Sequence, residues 1–302
     1  MGTGLALIFA KAGYSVWLYS IPDPTFDRAL DVIKSSLQTL ADAEILNAAA
    51  IPGIMDRIHP TTAMEDIRDS ALFIEAVSEK IAVKREIFAQ LDALVGEDAI
   101  ITSNTSYLDI FQVMPERRLP NAAITHFFAP AHIVPLVEIV RGEKTTDATV
   151  AFLKDIMKKA GSVPVVMEKY VPGFCVNRIQ AAIGNEVYHL LDNGYISPED
   201  LDLAVKASFI PRAMVLGLVQ RYDFTGIDLS LQNLKNGTYK YPEYDSPPEC
   251  LQSRADQGWL GAKTGKGFYD YSGRTLQEIN KDRDEALLRV LKSVGDLIYK
   301  HV

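Results

Sequence analysis

Cysteine is nearly absent from this chain, with only Cys175 and Cys250 in 302 residues. That excludes a disulfide framework and suits a reducing compartment. Positive charge is also short. Lys and Arg number 31 against 39 Asp and Glu, a formal net charge of -8, so the basic stripe of a non-specific nucleic-acid binder is missing. A local basic pocket for a phosphate-bearing ligand is still allowed. No apolar run reaches the about 18 residues of a membrane span, and the N-terminus lacks the basic segment and cleavage site of a signal peptide. A cytoplasmic protein is therefore expected, with no membrane partner, no nucleic acid and no metal. Internal repeats and low-complexity tracts are lacking too. What is present is 48% hydrophobic and 23% charged, ordinary values for a globular chain. At this length about two domains are expected, each able to bury its own core.

Residues 5–13 read as an apolar helix ending at Gly13, followed by a strand, S-V-W-L-Y-S, ending at Ser20. Residues 26–50, rich in Ala, Leu and Ile, predict one long helical run, broken over 53–62 by a segment with a short strand at 57–59. Residues 72–77 are a buried strand by composition, and 78–94 carry apolar spacing near 3.6, the mark of a helix. A strand at 99–102 leads into Ser103-Asn104-Thr105-Ser106, where small hydroxyl and amide side chains either cap a helix or hold a ligand oxygen. A helix over 145–160 and a strand over 162–167 complete the alternation. Val171-Pro172-Gly173 forms a passage, and from Phe174 onward the pattern is helical with no convincing strand. Helices are predicted over 174–193, 201–208 and 212–220, with Ser197 as an N-cap before Pro198. Further helices follow Asp223 and Pro247, and a last one spans 278–301. Residues 258–271, G-W-L-G-A-K-T-G-K-G-F-Y-D-Y, read as a tight structural loop.

Residues 121–141, N-A-A-I-T-H-F-F-A-P-A-H-I-V-P-L-V-E-I-V-R, organise the rest. Two apolar strands, 122–128 and 133–140, are separated by Pro130 and Pro135. His126 closes the first and Glu138 lies inside the second. A buried carboxylate needs a partner. If a strand, turn and strand bring His126 to Glu138, the carboxylate fixes the tautomer, raises the basicity of the imidazole and leaves the other ring nitrogen free to move a proton. The same residues also suit a satisfied core histidine and a buried ion-pair member.

H-F-F-x-P followed by L-V-E, with N-T-S upstream and P-G-F-x-V-N-R downstream, resembles the 3-hydroxyacyl-CoA dehydrogenase family. The resemblance runs from Met1 to about Tyr271. It implies an α/β Rossmann-like nucleotide-binding domain over 1–171 and an all-α 6-phosphogluconate-dehydrogenase-like domain over 172–302, with the cleft between them and a homodimer formed through the helical part. It further implies NAD-dependent oxidation of a 3-hydroxyacyl-CoA, such as 3-hydroxybutyryl-CoA, to the 3-ketoacyl-CoA, or the reverse. His126 and Glu138 match the catalytic pair, Ser106 and Asn177 the contacts to the substrate hydroxyl, and Asn104 a residue near the nicotinamide. Glu79 and Lys84 match the family's E-x-x-x-x-K, the first near the catalytic histidine and the second reaching the cofactor.

The chain departs from the family in several places. A dinucleotide fold begins with a strand and a Gly-rich turn, whereas here Gly2 stands where the last glycine of G-x-G-x-x-G belongs, with Gly4 beside it. Without its first strand the sheet is expected to open at its middle. The expected cause is a start at an internal Met, the native protein being longer by about ten to fifteen residues, one strand and a turn. Ser20 stands where the family has an Asp for the adenosine ribose, which leaves NADP open beside NAD, with Asp23 a possible substitute. Ala129 replaces an Asn. A-H-I-V-P over 131–135 remodels the expected acyl pocket and puts His132 at its mouth, and the match over 210–219 is loose. These changes motivate two other readings: a dehydrogenase of a non-CoA hydroxy acid or small alcohol, and a non-catalytic dimeric binding protein.

Overall fold

The computed structural model describes residues 1–237, 242 and 246–299. They form two compact units, Met1–Ile179 and Gln180–Val302. In the first, the strands are β1 (Val16–Tyr19), β2 (Ile58–Thr61), β3 (Leu72–Glu75), β4 (Ile100–Ser103), β5 (Ala122–Phe127), β6 (Leu136–Arg141) and β7 (Val163–Met167). Helix α1 (Gly2–Lys11) precedes them, α2 (Pro24–Asp27), α3 (Ala29–Asp42), α4 (Ile51–Met55), α5 (Ile81–Leu94) and α6 (Asp147–Lys159) lie between them in the chain, and α7 (Val176–Asp192) carries the chain across the division of units. This is the Rossmann-like α/β fold that the sequence predicts.

The strands form two sheets. β1 and β2 pair in parallel, while β3 to β7 follow one another in spatial order, parallel except where β5 meets β6. No backbone ladder joins β1 to β3 among the described residues, so the sheet is divided where the comparison with the fingerprint expects it to open. Side chains span the division: Tyr19 and Val16 of β1 reach the two hydrophobic clusters that cover the five-stranded sheet. The period of two along each strand sorts residues between these clusters. Phe73, Ile101, Ile124 and Val140 face one way, against Phe88 and Leu91 of α5. Ile100, Ala123, Val137 and Ile139 face the other, against Leu5 and Ile8 of α1 and Leu153 of α6. Helices on both faces explain why these strands are apolar throughout rather than alternating.

Residues 26–50 are not one helix. Glu44 adopts φ 57°, ending α3, and the Asn47 side chain accepts the Ala49 N–H to open a short 3-10 turn. Local side-chain capping overrides the helical propensity of the alanines there. Gly53, expected to break the helix, instead lies inside α4.

The second unit contains α8 (Pro198–Ala204), α9 (Ile210–Leu216), α10 (Gln220–Thr225), α11 (Ile227–Asn236), α12 (Glu249–Asp256) and α13 (Leu276–Val294). Ser197 caps α8 as expected, its hydroxyl accepting the Asp200 N–H at 3.1 Å. The two separate helices predicted around Pro211 are one path, α8 running into α9 through a π-turn at Val205–Phe209. The wider turn accommodates the missing N–H and ring of Pro211. In the Gly-rich loop a Cβ on Gly267 would lie 2.8 Å from the Gly261 Cα, so the two backbone segments meet only because neither carries a side chain there. Lys266 sits over Trp259 at 3.9 Å and Arg254 over Phe268 at 4.0 Å, packing the same loop. The helix predicted to run to His301 ends at Val294 and gives way to a 3-10 turn, Gly295–Tyr299; His301 lies outside the described residues. Among the described residues no helix is long and apolar enough to cross a membrane.

Candidate active site

Antiparallel pairing of β5 and β6 sets His126 directly opposite Glu138. Across such a pair the side chains share one face and lie within contact distance. His126 Nδ1 is 2.8 Å from Glu138 Oε2, with the two side chains 5% and 1% exposed. The other carboxylate oxygen, Oε1, accepts the backbone N–H groups of Cys175 at 3.0 Å and Val176 at 2.9 Å. These are donors at the start of α7, where an anion is favoured. Glu138 is therefore a buried anion with both oxygens satisfied, the condition under which burial of a charge is tolerated.

The turn that delivers those N–H groups is built by Gly173 at φ 78° and Phe174 at φ 50°. A left-handed phenylalanine costs about 1–3 kcal/mol, which complete burial of its ring offsets by a similar about 1.5–3 kcal/mol. The Phe174 ring lies 5.3 Å from that of His126 and the Phe128 ring 4.5 Å, so the imidazole packs against two aromatics.

The segment after β4 is held at every residue. Ser103 Oγ donates to Glu75 Oε2 at 2.6 Å. Asn104 Oδ1 accepts the Phe127 N–H at 2.8 Å, tying the segment to the residue after His126. Glu79 Oε1 accepts the Thr105 hydroxyl and the N–H groups of Ser106 at 2.9 Å and Tyr107 at 3.3 Å. Asn177, in the first turn of α7, donates from Nδ2 to the Ser106 carbonyl at 3.4 Å. Ser106 and Asn177 are thus joined directly, as are His126 and Glu138. The two pairs are linked through Asn104 and through the hold of Glu138 on α7.

Lys84, the lysine of the E-x-x-x-x-K match, is enclosed. Its ammonium group lies 2.9 Å from both oxygens of Glu75 and 3.1 Å from Glu79 Oε2, and its side chain is 1% exposed. Burial pushes the Glu79 carboxyl up, but the hydrogen bonds from Thr105 and Ser106 and the Lys84 charge outweigh it and hold the group below its usual range. Glu75 was not singled out by any motif. The signal for it is physical: a carboxylate ending an apolar strand, L-F-I-E, needs a cation, and Lys84 follows nine residues later. Gly2 and Gly4 fall in the first turn of α1, which has no side-chain cap and no acidic residue. A Cβ on Gly4 would come 3.3 Å from the Ala131 Cβ, which puts α1 against the segment that follows His126. Ser20 closes β1, its N–H donating to the Thr61 carbonyl.

Two family models match most of the chain: the NAD binding domain of 3-hydroxyacyl-CoA dehydrogenase matches residues 1–170 and the C-terminal domain matches 173–271. The chain is 30% identical to 5-formyl-3-hydroxy-2-methylpyridine 4-carboxylate 5-dehydrogenase of Mesorhizobium japonicum over 294 residues, 96% of this chain and 94% of the relative. A crystal structure of a dehydrogenase of that name, described as an NAD+ dependent dismutase, superposes with a TM-score of 0.86 at 28% identity, covering 98% of this chain and 95% of that one. The (S)-3-hydroxybutyryl-CoA dehydrogenase of Ralstonia eutropha superposes with a TM-score of 0.72 at 32% identity, covering 90% and 95%. The chain belongs to the 3-hydroxyacyl-CoA dehydrogenase family, NAD-dependent oxidoreductases that act on a CH–OH group.

Proposed function

We propose that this chain interconverts a 3-hydroxyacyl-CoA, such as 3-hydroxybutyryl-CoA, and its 3-ketoacyl form, with His126 as general base and acid. The observation that carries the reading is the 2.8 Å contact between His126 Nδ1 and Glu138 Oε2. With the Nδ1 proton held by the carboxylate, Nε2 is the nitrogen that takes the hydroxyl proton, and Glu138 stabilises the imidazolium that results. Ser106 and Asn177 position the substrate oxygen. The aromatic rings of Phe128 and Phe174 keep the imidazole in a low-dielectric surrounding, where the charge on Glu138 acts more strongly.

The residues present fit NAD. The uncapped first turn of α1, with Gly2 and Gly4 and no acidic side chain, leaves N–H donors suited to a pyrophosphate. Ser20 and Asn104 lie toward the adenosine and nicotinamide ends of that reading. When bound, NAD supplies the acceptor for the hydride on the hydroxyl-bearing carbon.

The helical unit is read as the substrate and dimerisation domain. Many of its large apolar side chains are exposed, Val219, Phe224, Ile227 and Leu234 among them, which motivates a homodimer. Sedimentation at micromolar concentration is expected to give twice the chain mass.

A second reading exchanges the thioester for a small carboxylated alcohol or aldehyde. Its support is the TM-score of 0.86 to the pyridine-carboxylate dehydrogenase against 0.72 to the hydroxybutyryl-CoA enzyme, together with Ala129 and the remodelled 131–135 segment. A non-catalytic binding role is disfavoured by the retention of Ser106, His126, Glu138 and Asn177. The deciding experiment is NADH-dependent reduction of acetoacetyl-CoA set beside that of free 3-keto acids and aromatic aldehyde carboxylates. Turnover of the thioester supports the first reading; NADH oxidation with the free acids alone replaces it with the second.

A further inference from the structure

Lys84, Glu75 and Glu79 form a buried ionic group at the C-terminal ends of β3 and β4, on the same sheet face as His126 and Glu138. That placement follows from the period of two: Glu75 shares a face with Phe73, Ser103 with Ile101, His126 with Ile124 and Glu138 with Val140. Placing a lysine at 1% exposure is costly unless its ammonium is fully paired. Here it meets three carboxylate oxygens at 2.9, 2.9 and 3.1 Å, one for each of its donors.

The two carboxylates have different tasks. Glu75 is fixed on β3: it takes Lys84 on both oxygens, the Val77 N–H at 2.7 Å and the Ser103 hydroxyl at 2.6 Å. Its side chain is 1% exposed, so it is the rigid end of the group. Glu79 is 39% exposed and lies on the connection between β3 and α5, a position from which an unrestrained side chain would turn to water. Lys84 prevents this by holding Oε2, which aims Oε1 at the Thr105 hydroxyl and the N–H groups of Ser106 and Tyr107. Three donors from three consecutive residues converge on one oxygen, and that convergence sets the backbone of Ser106.

We infer that Glu75, Lys84 and Glu79 are positioning residues, a buried lysine clamp through which the rigid β3 strand fixes the Thr105–Tyr107 backbone and so the place of the Ser106 hydroxyl. The functional consequence rests on the role given to Ser106 above; the structural consequence does not. A displacement of about 1 Å in a positioning group lowers turnover by about 100-fold.

The test combines residue-by-residue amide exchange, NADH affinity and turnover in Glu79→Ala, Glu79→Gln and Lys84→Met. Glu79 is partly exposed and Glu75 still pairs Lys84 without it, so Glu79→Ala retains the fold and decides the matter even where Lys84→Met does not fold. In Glu79→Ala, exchange at the Ser106 and Tyr107 amides is expected to rise about tenfold or more, the rate of acetoacetyl-CoA reduction to fall roughly 10- to 100-fold, and the Kd for NADH to stay within about twofold. Glu79→Gln keeps an acceptor oxygen for the three donors but turns an amide NH2 toward the Lys84 ammonium, so its turnover and amide exchange are expected to fall between those of Glu79→Ala and the parent. Unchanged exchange in a folded Glu79→Ala chain overturns the clamp. So does a tenfold weaker NADH Kd with unchanged turnover in Lys84→Met, which makes Lys84 a cofactor contact. If the unaltered protein leaves acetoacetyl-CoA untouched, the substrate reading fails while amide exchange, which needs no substrate, still decides the clamp.

Discussion

His126 and Glu138 face each other across an antiparallel strand pair inside an otherwise parallel five-stranded sheet, with Nδ1 2.8 Å from Oε2. The same carboxylate holds the first N–H groups of α7, the helix that carries Asn177. One anion therefore sets both the imidazole and the helix start beside it. Replacing Glu138 by Gln keeps the shape and an acceptor for Cys175 and Val176, but turns an amide N–H toward Nδ1. The imidazole must then accept at Nδ1 and carry its proton on Nε2, the wrong tautomer for a base. Turnover in Glu138→Gln is expected to fall by roughly 100- to 10,000-fold, with a melting temperature close to that of the parent.

Glu79 gives a sign for acid stability. Its carboxyl is held below its ordinary value of 4.5, the hydrogen bonds from Thr105 and Ser106 and the Lys84 charge outweighing burial. A group whose folded pKa is depressed contributes stability that is fully present above the unfolded pKa and is lost as pH falls through the folded one. Between pH 7 and pH 5 the melting curves of the parent and Glu79→Gln are expected to run parallel. Below about pH 4.5 the parent loses stability faster than the variant. Thermal melts across this range check it, and a constant difference down to strong acid would count against the ion pair.

The two cysteines are expected to differ in reactivity. Cys250 is buried, and burial together with the hydrogen bond to Asp192 pushes its thiol up to about 11. Cys175 is exposed. The thiolate is the reactive form, so a neutral-pH thiol reagent in excess is expected to modify one thiol per native chain, and peptide mapping to find the label on Cys175. A second equivalent is expected only on unfolding.

The Gly-rich loop offers a packing test. The Cβ of Gly267→Ala would lie 2.8 Å from the Gly261 Cα, a backbone atom that cannot step aside alone. Destabilisation of about 1–3 kcal/mol is expected, typical of overpacking, read from chemical denaturation.

Much of this was legible in the residues. The alternation of elements, the helical second half and the two strands around Pro130 follow from apolar periodicity, and burial of Glu138 demanded a partner that His126 supplies. Other features were not. The break at Glu44 depends on one left-handed residue, and the continuous helix through Pro211 depends on a π-turn; neither has a periodic signature. Glu75 was passed over because a lone acid at the end of a strand looks like a boundary, and Lys84 was singled out through E-x-x-x-x-K for the cofactor rather than as the partner of Glu75. Only the fold shows that these two charges meet. Three-dimensional proximity between residues on different elements is the information that local pattern lacks.

The most direct test of the central claim is turnover by His126→Ala on whichever carbonyl substrate the unaltered protein reduces with NADH. The account predicts a loss of about two to four orders of magnitude in rate, with NADH binding retained and the fold intact. Turnover within a few-fold of the parent would contradict it, and would return His126 to the status of a core histidine.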